Sequence, residues 1–571
     1  MRRNIFAFLL IAAFASQSVF GQAAAPAIKI TPEEKKIAEG VTAKQLSDYL
    51  YFVASDEMEG RDTPSRGLDT TAKFIGMNLS KWGFKPAGDN GTFYQKIALH
   101  RDPVDPAGTF VEVGGQKFSY GDDLVRASGP TTGTVSGPIF FAGNGWMIKS
   151  KNIDPYVGID VKGKIVAVLD EGQISQRSLI PPPAGVTPVD TPQAGRGTDW
   201  ADPATYAAAH GAAGLLILPS KSITDIWPIL TQNFGRSRVV VDKFAAPAGG
   251  GGRPGAGPAI PVLFASPKLT NAIFAGESGN PLAGVTNPFV LSSAKTFNFT
   301  IATKPEALST QNVVAIWEGS DPVLKNEMVA IGAHYDHIGI STNPNAPDKI
   351  NNGADDDGSG TVSVLSIAEA LAKAPKRPKR SVLFVWHCGE EKGLWGSQYF
   401  NKYPTVDIKQ VIAQLNIDMI GRSKKPGYMA PCDTNPAPGR KPCNETLSGE
   451  NQVYVIGKDM MSSTLGNIVS GVNAGYLNLT YDTRYDDPKD PNRFFFRSDH
   501  FNYAVNGIPI AFWFDGEHED YHQPGDEPQK IDYNKMEKVA RSIMITMLKL
   551  TDLKERPKID KTLPPELNQP R

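Results

Sequence analysis

The chain has 571 residues, with 59 Lys and Arg against 60 Asp and Glu, a formal charge of −1. So even a balance, with no basic stripe or polybasic patch, argues against nucleic acid and against an anionic membrane surface as partners. The length exceeds one ordinary domain, so two or more are expected.

The opening MRRNIFAFLLIAAFASQSVFGQAAA has a basic start at Arg2 and Arg3, an apolar run from Ile5 to Phe14, and small residues Val19 and Gly21 before Gln22. It reads as a secretory signal over 1–21, too short for a span of roughly 20 apolar residues. An uncleaved N-terminal anchor is the other reading of this segment. The expectation is a secreted or periplasmic protein with no stable membrane insertion after signal cleavage. Residues 31–60 then show helical patterning, with Thr42 placed as an N-cap. LDTTAKFIGMNLSKWGF is a second amphipathic helix, turning Ala72, Ile75, Leu79, and with them Met77 and Phe84, towards a core.

Between about Pro130 and Pro288 the runs become short and β-rich, with Gly and Pro at their ends: TVSGPIFFAGNG, GKIVAVLDEG and GAAGLLILPS. ADPATYAAAHGAAG between two of them is a small-residue helix. The pair GKIVAVLDEG and AAAHGAAGLLIL resembles a protease-associated domain, a β-rich insert found in several secreted peptidases. Residues 245–260, rich in Gly and Pro, read as a loop. From Asn312 the pattern is α/β. NVVAIWEG, EMVAIGAHYD, SVLFVWHCGE, VIAQLNID and IPIAFWF are near-continuous apolar runs, as for strands buried on both faces. SGTVSVLSIAEALAK and KVARSIMITMLKL are helices, so the expected sheet is covered by helices on both faces, with ligands at strand C-terminal ends. The divisions are 1–21 signal, 31–130 first part of the main domain, 131–288 insert, and 300–555 the rest of the main domain.

At or just past those strand ends stand His334 and Asp336, Glu390 and Glu391, and Asp418, joined by Asp356 and His522 in loops. Carboxylate oxygens with imidazole nitrogens suit zinc. Two ions about 3.5–4 Å apart can share a carboxylate and a water and activate that water at neutral pH. Asp356 bridging, with His334 and Glu391 on opposite ions and Asp418 and His522 filling in, gives each ion three protein contacts and room for water. Asp336, two residues past His334, is placed to accept its second imidazole N–H. Adjacent side chains on an extended segment diverge, so Glu390 is left to act as a general base on that water while Glu391 binds metal. Tyr521 is placed to hydrogen-bond the oxyanion. Spacing alone leaves open which of Asp355, Asp356 and Asp357 bridges. His337, His387, His500 and His518 have no assigned role and read as hydrogen-bonding or wall residues; His100 and His210 read as structural or surface residues. Cys432 and Cys443 bracket a Pro-rich loop and can pair in an oxidising compartment, and Cys388 reads as a small buried apolar residue.

GAHYDH, GADDDGSG, EEKGLWGS, NIDMIG and the Tyr521-His522 pair resemble the co-catalytic di-zinc aminopeptidases of clan MH, which include secreted bacterial aminopeptidases and glutamate carboxypeptidase II-like enzymes. The resemblance implies a zinc exopeptidase fold with a mixed β-sheet, and two zinc ions per chain. It puts His334 and Asp418 on one zinc, Glu391 and His522 on the other, with Asp356 between and a cis peptide after it. It makes Glu390 the general base and Arg497, in RSDHFNYAVNGIPI, a contact to the substrate backbone. The expected function is a secreted zinc exopeptidase that removes N-terminal amino acids from peptides through a hydroxide bridging the two ions. A carboxypeptidase or dipeptidase on the same domain is the alternative. A non-catalytic binding protein and a single-zinc glutaminyl cyclase are further readings, against which the complete ligand set stands.

Overall fold

The computed structural model describes residues 26–565 except 129–131, 170–184, 188–189, 192–194, 229, 232–237, 245–259, 293–294, 296, 342–345, 427 and 429–445. The expected signal, Cys432, Cys443 and all but the last residue of the Gly/Pro loop at 245–260 therefore lie outside the described residues. Among those described, no helix is long and apolar enough to cross a membrane. The chain divides into two compact units, one of residues 1–97 with 310–571, the other of 98–309.

The first unit is built on a ten-stranded mixed sheet that includes β1 (Glu306–Trp317, which runs in from the second unit), β2 (Met328–His334), β3 (Ser381–His387), β4 (Val411–Ile417), β5 (Gln452–Ile456), β6 (Thr480–Asp482) and β7 (Ile510–Phe514). Their order is β1-β3-β2-β4-β7-β5-β6. The central β3, β2, β4 and β7 are mutually parallel, β1 runs antiparallel to β3, and β5 runs antiparallel to β7 but parallel to β6. Every residue of β2, β3 and β4 is buried, which requires cover on both faces. Successive residues serve the two sides. Met328, Ala330, Leu383 and Val385 join Phe400, Phe501 and Tyr503 in one cluster. On the other face the Trp386 indole donates to the Thr361 carbonyl at the start of the Gly360–Ala372 helix.

The N-terminal helices form as their caps dictate. Thr31 completes a capping box with Glu34 for Pro32–Ala38. Thr42 accepts from the Gln45 N–H to start Ala43–Val53. In Arg66–Lys81, Ala72, Ile75 and Leu79 are buried, as is Phe84 beyond it. Met77 is 60 % exposed, because two residues past Ile75 a helix has turned about 200° and presents its opposite face.

Among the described residues the second unit carries three separate sheets, the smallest a pair of Met147–Ile148 and Trp200–Ala201. A six-stranded one runs Phe289–Val290, Ile139–Phe141, Ile165–Leu169, Gly214–Leu218, Val262–Ala265 and Leu124–Ser128. A four-stranded antiparallel one runs Gln116–Ser119, Phe110–Val113, Phe297–Ile301 and Gly133–Gly137. Along Ile165–Leu169, Ile165 and Ala167 enter one apolar cluster and Val166 and Val168 another, so this strand is a wall shared by two cores. The unit takes in 98–130 and 289–309 as well as the segment 131–288.

Candidate active site

The C-terminal ends of the parallel strands converge on one place, as this topology favours. His334 is the last residue of β2, Asp418 follows β4, and Glu390 and Glu391 lie three and four residues past β3. Asp356 stands in the turn that leads into the Gly360–Ala372 helix, and His522 in the loop after β7.

That turn explains which of three adjacent aspartates faces the others. Asp355 Oδ1 accepts the Gly421 N–H at 2.7 Å. Asp357 Oδ1 accepts the N–H groups of Gly360 at 2.8 Å and Met419 at 3.1 Å. Both side chains thus fasten the turn to the backbone beyond β4. Gly360 is required here, because a Cβ would sit 2.3 Å from the Asp357 carboxylate and 2.5 Å from the Ile417 carbonyl. The buried Asp526 carboxylate accepts the N–H groups of Asp355 at 3.0 Å and Asp356 at 3.1 Å. Asp356 turns one oxygen towards His334 and the other towards His522, and the Asp356–Asp357 peptide is cis. Asp357 also brings one oxygen within 4.8 Å of donor atoms of His334 and Asp418.

Two clusters form around Asp356. In the first, His334 Nε2 lies 3.3 Å from Asp356 Oδ1 and 3.6 Å from Asp418 Oδ1. In the second, His522 Nε2 lies 3.1 Å from both Asp356 Oδ2 and Glu391 Oε2. A tetrahedral zinc with bonds of 2.0–2.1 Å holds its ligand atoms about 3.3–3.4 Å apart, and these separations bracket that value. Asp356 Oδ2, Glu391 Oε1 and His522 Nε2 are buried and have no hydrogen-bond partner. Buried polar atoms that approach this closely without hydrogen-bonding are spaced for a shared cation. The donor set, imidazole nitrogen with carboxylate oxygen, fits zinc.

Asp336 is completely buried. Its backbone oxygen, 3.2 Å from His334 Nδ1, is nearer than its carboxylate at 3.6 Å. The carboxylate accepts the Glu390 N–H at 3.1 Å and so holds the Glu390 turn. Arg497 pairs with Glu517 at 2.8 Å and donates to the Tyr521 hydroxyl at 3.1 Å. The Tyr521 ring stacks on His522 with centroids 4.0 Å apart.

A cleft of about 340 Å³, measured with its mouth, opens over the first cluster. His334, Asp356, Glu390 and Asp418 line one side, Met419, Phe494, Phe512 and Phe514 another, and Arg497, Glu517 and Tyr521 the rest. Among the protein groups alone, burial pushes the Glu390 carboxyl well above the usual range; His334 opposes that, and Glu391 and Asp418 add to it. Burial pushes His522 down, but the Asp356 and Glu391 carboxylates outweigh it and hold the ring up at about 10. Cys388 is buried, and burial raises its thiol.

In sequence His337 reads as a hydrogen-bonding or wall residue. The structure puts it inside the second cluster, its Nδ1 2.9 Å from Glu391 Oε1 and 3.7 Å from Asp356 Oδ2. His518 lies behind the site, with Nε2 3.4 Å from Asp355 Oδ2. Only the repetition of His three residues after His334 hinted at the first of these.

Residues 312–547 match the profile of peptidase family M28. A leupeptin-inactivating enzyme from Streptomyces exfoliatus is 36 % identical over 118 residues, covering 20 % of this chain and 24 % of that one. Leucine aminopeptidase 2 from Arthroderma otae is 24 % identical over 247 residues, 41 % of each. The chain thus aligns with between 24 % and 41 % of the length of these two curated relatives. Among solved structures, the aminopeptidase from Aneurinibacillus sp. strain AM-1 aligns over 93 % of this chain and 98 % of its own, with a TM-score of 0.46 and 16 % identity. The strand-end histidine and carboxylates all fall inside the segment that matches the peptidase family M28 profile.

Proposed function

We propose that this chain is a zinc-dependent aminopeptidase that removes N-terminal amino acids from peptides. The observation that carries the reading is the convergence of His334, Asp356, Asp418, Glu391 and His522 at cation-ligand spacing, with Glu390 at the edge of the cleft above. The M28 match and the names of the leucine aminopeptidase relatives support it. His334 and Asp418 would hold one zinc, Glu391 and His522 a second, and Asp356 both. Zinc bound there would acidify water and polarise the scissile carbonyl.

The chain's own groups supply the rest. Glu390, held by its N–H on Asp336, takes a proton from the attacking water and returns it to the leaving amine, a role that its raised affinity for a proton suits. Tyr521, its hydroxyl held by Arg497, donates to the developing oxyanion. The polarity of the cleft favours the amino end of a substrate. Arg497, the cation that a terminal carboxylate would need, is engaged by Glu517, and the other charged lining groups are the carboxylates of Asp356, Glu390 and Asp418 beside His334. Met419, Phe494, Phe512 and Phe514 suit an apolar side chain at that end. The basic-then-apolar stretch at 1–21 supports export to the periplasm or outside, and the segment pair near Ile165 and Gly214 supports reading 131–288 as a protease-associated domain.

The test is hydrolysis of aminoacyl p-nitroanilides against their N-acetylated forms and against C-terminally free, N-blocked peptides. The expected outcome is turnover of free-amine substrates only, abolished by chelator and restored by zinc. Preference for N-blocked peptides would favour a carboxypeptidase.

A further inference from the structure

The second cluster holds one donor more than the sequence motifs assign to it. We propose that His337 Nδ1 is a direct ligand of the second metal position, so that the two positions are unequal. His334, Asp418 and Asp356 would make the first, and His337, His522, Glu391 and Asp356 the second. The proposal rests on the zinc reading above and extends it.

Three observations on His337 carry it. Its Nδ1 stands 2.9 Å from Glu391 Oε1 and 3.7 Å from Asp356 Oδ2, either side of the about 3.3–3.4 Å set by tetrahedral zinc. At 2.9 Å a ring N–H aimed at the carboxylate would make a good hydrogen bond. The two side chains form an ion pair, but no well-aimed hydrogen bond: both His337 ring nitrogens, Glu391 Oε1 and Asp356 Oδ2 are buried without a partner in hydrogen-bond geometry. The atoms are close but not aimed at one another, the geometry of ligands around a common centre.

The ring is also held in place. Gly353 lies against it with φ +56°, and a Cβ there would come within 2.5 Å of His337 Cγ. The His337 N–H donates to the Arg61 carbonyl at 3.2 Å. A histidine serving only as packing would not need so close a backbone approach to a ring whose nitrogens are both unpaired.

The asymmetry has a chemical use. Four protein donors close a tetrahedral zinc, whereas three leave a place for an exchangeable ligand. The cleft is lined by His334, Asp356 and Asp418 of the first position, and neither His337 nor Glu391 is among its lining residues. The position that His337 would close thus lies outside the lining of this cleft, with His522 partly open to solvent beside it. It would exchange slowly and fix Asp356, while the first stays open to substrate.

The experiment follows zinc itself. Zinc-loaded wild type, His337→Phe and His337→Gln are dialysed against graded chelator, and bound zinc is counted by elemental analysis. Phe keeps the ring volume but offers no donor. Wild type should release its zinc in two steps. In both variants the tighter step should weaken by more than the roughly 10–100-fold that losing an outer-shell partner costs, and the weaker step should stay. Weakening within that range, or none, overturns the proposal. X-ray absorption on the zinc-loaded wild type needs no variant to fold: three imidazoles shared between two ions are expected, and two would overturn it. A wild type that takes up no zinc at all would sink the zinc reading before His337 came into question.

Discussion

Glu390 and Glu391 are adjacent in the chain and differ in everything the fold does with them. Glu391 joins His522 in the second cluster, and Glu390 faces the cleft from a turn held by Asp336. Glu390→Gln should therefore keep its zinc and lose roughly 10²–10⁴-fold in kcat, the usual share of a general base. Glu391→Gln should lose zinc together with activity; equal zinc retention in the two variants would reverse these assignments. Protons and zinc also compete at His522. With its folded value near 10, above the unfolded value of about 6.5, the ring's contribution to the stability of metal-free protein is full below about 6.5 and lost as pH rises through about 10. Zinc affinity should run the other way, rising with pH across that window as fewer protons must leave. Titration against a competing chelator at several pH values checks this, and a flat profile contradicts it. At this scale the sequence was readable where a charged residue ends an apolar run, as at His334 and Asp418. It was silent on His337, whose place depends on the Gly353 backbone folding onto its ring.

Short connections, more than strands, determine how well the site is built. The Asp355–Gly360 turn is held from one side by the backbone after β4 and from the other by Asp526. Asp526→Ala would strand two buried N–H groups at about 1–3 kcal/mol each and loosen Asp356. Lowered thermal stability and weakened zinc binding are expected together, with Asp526→Asn, which keeps an acceptor oxygen, closer to wild type. Loss of stability with zinc affinity unchanged would show that Asp526 supports the turn but not Asp356. Arg61 plays the matching part on the other side. It is completely buried and donates to the carbonyls of Val53, Tyr335, Asn352 and Gly353, tying a helix end to the loops that carry His337 and Asp356. None of this was legible beforehand, since Arg61 and Asp526 lie in loops whose partners are far along the chain.

The chain crosses between its two units at 97–98 and 309–310. Within the first unit the crossing points are side by side, the buried Asn312 amide donating to Gln95 at 2.8 Å. Within the second, Arg101 reaches Glu306 at 2.6 Å. A short Gly/Ser link can therefore replace 98–309 without stretching the first unit. All the proposed zinc ligands lie in that unit, so the deletion variant, once shown to be folded and soluble, should retain zinc and cleave dipeptide-sized substrates. A folded, zinc-loaded variant without activity would mean that the second unit supplies part of the site. The main sheet was legible because strands buried on both faces are long apolar runs. The division of the second unit into separate sheets was not, since runs of two to five residues carry too little periodicity to name their neighbours.

The proposed ligands are scattered from His334 to His522, on loops that meet only when β2, β3, β4 and β7 lie side by side. Such a centre is a late product of folding, because the non-local strand pairs must close first. A chain still emerging from the ribosome would hold fragments of the site and no working one until residue 522 had been made and had docked. For a peptidase of the kind proposed, that order of events is a timer: hydrolysis becomes possible only once the last of its distant ligands has docked.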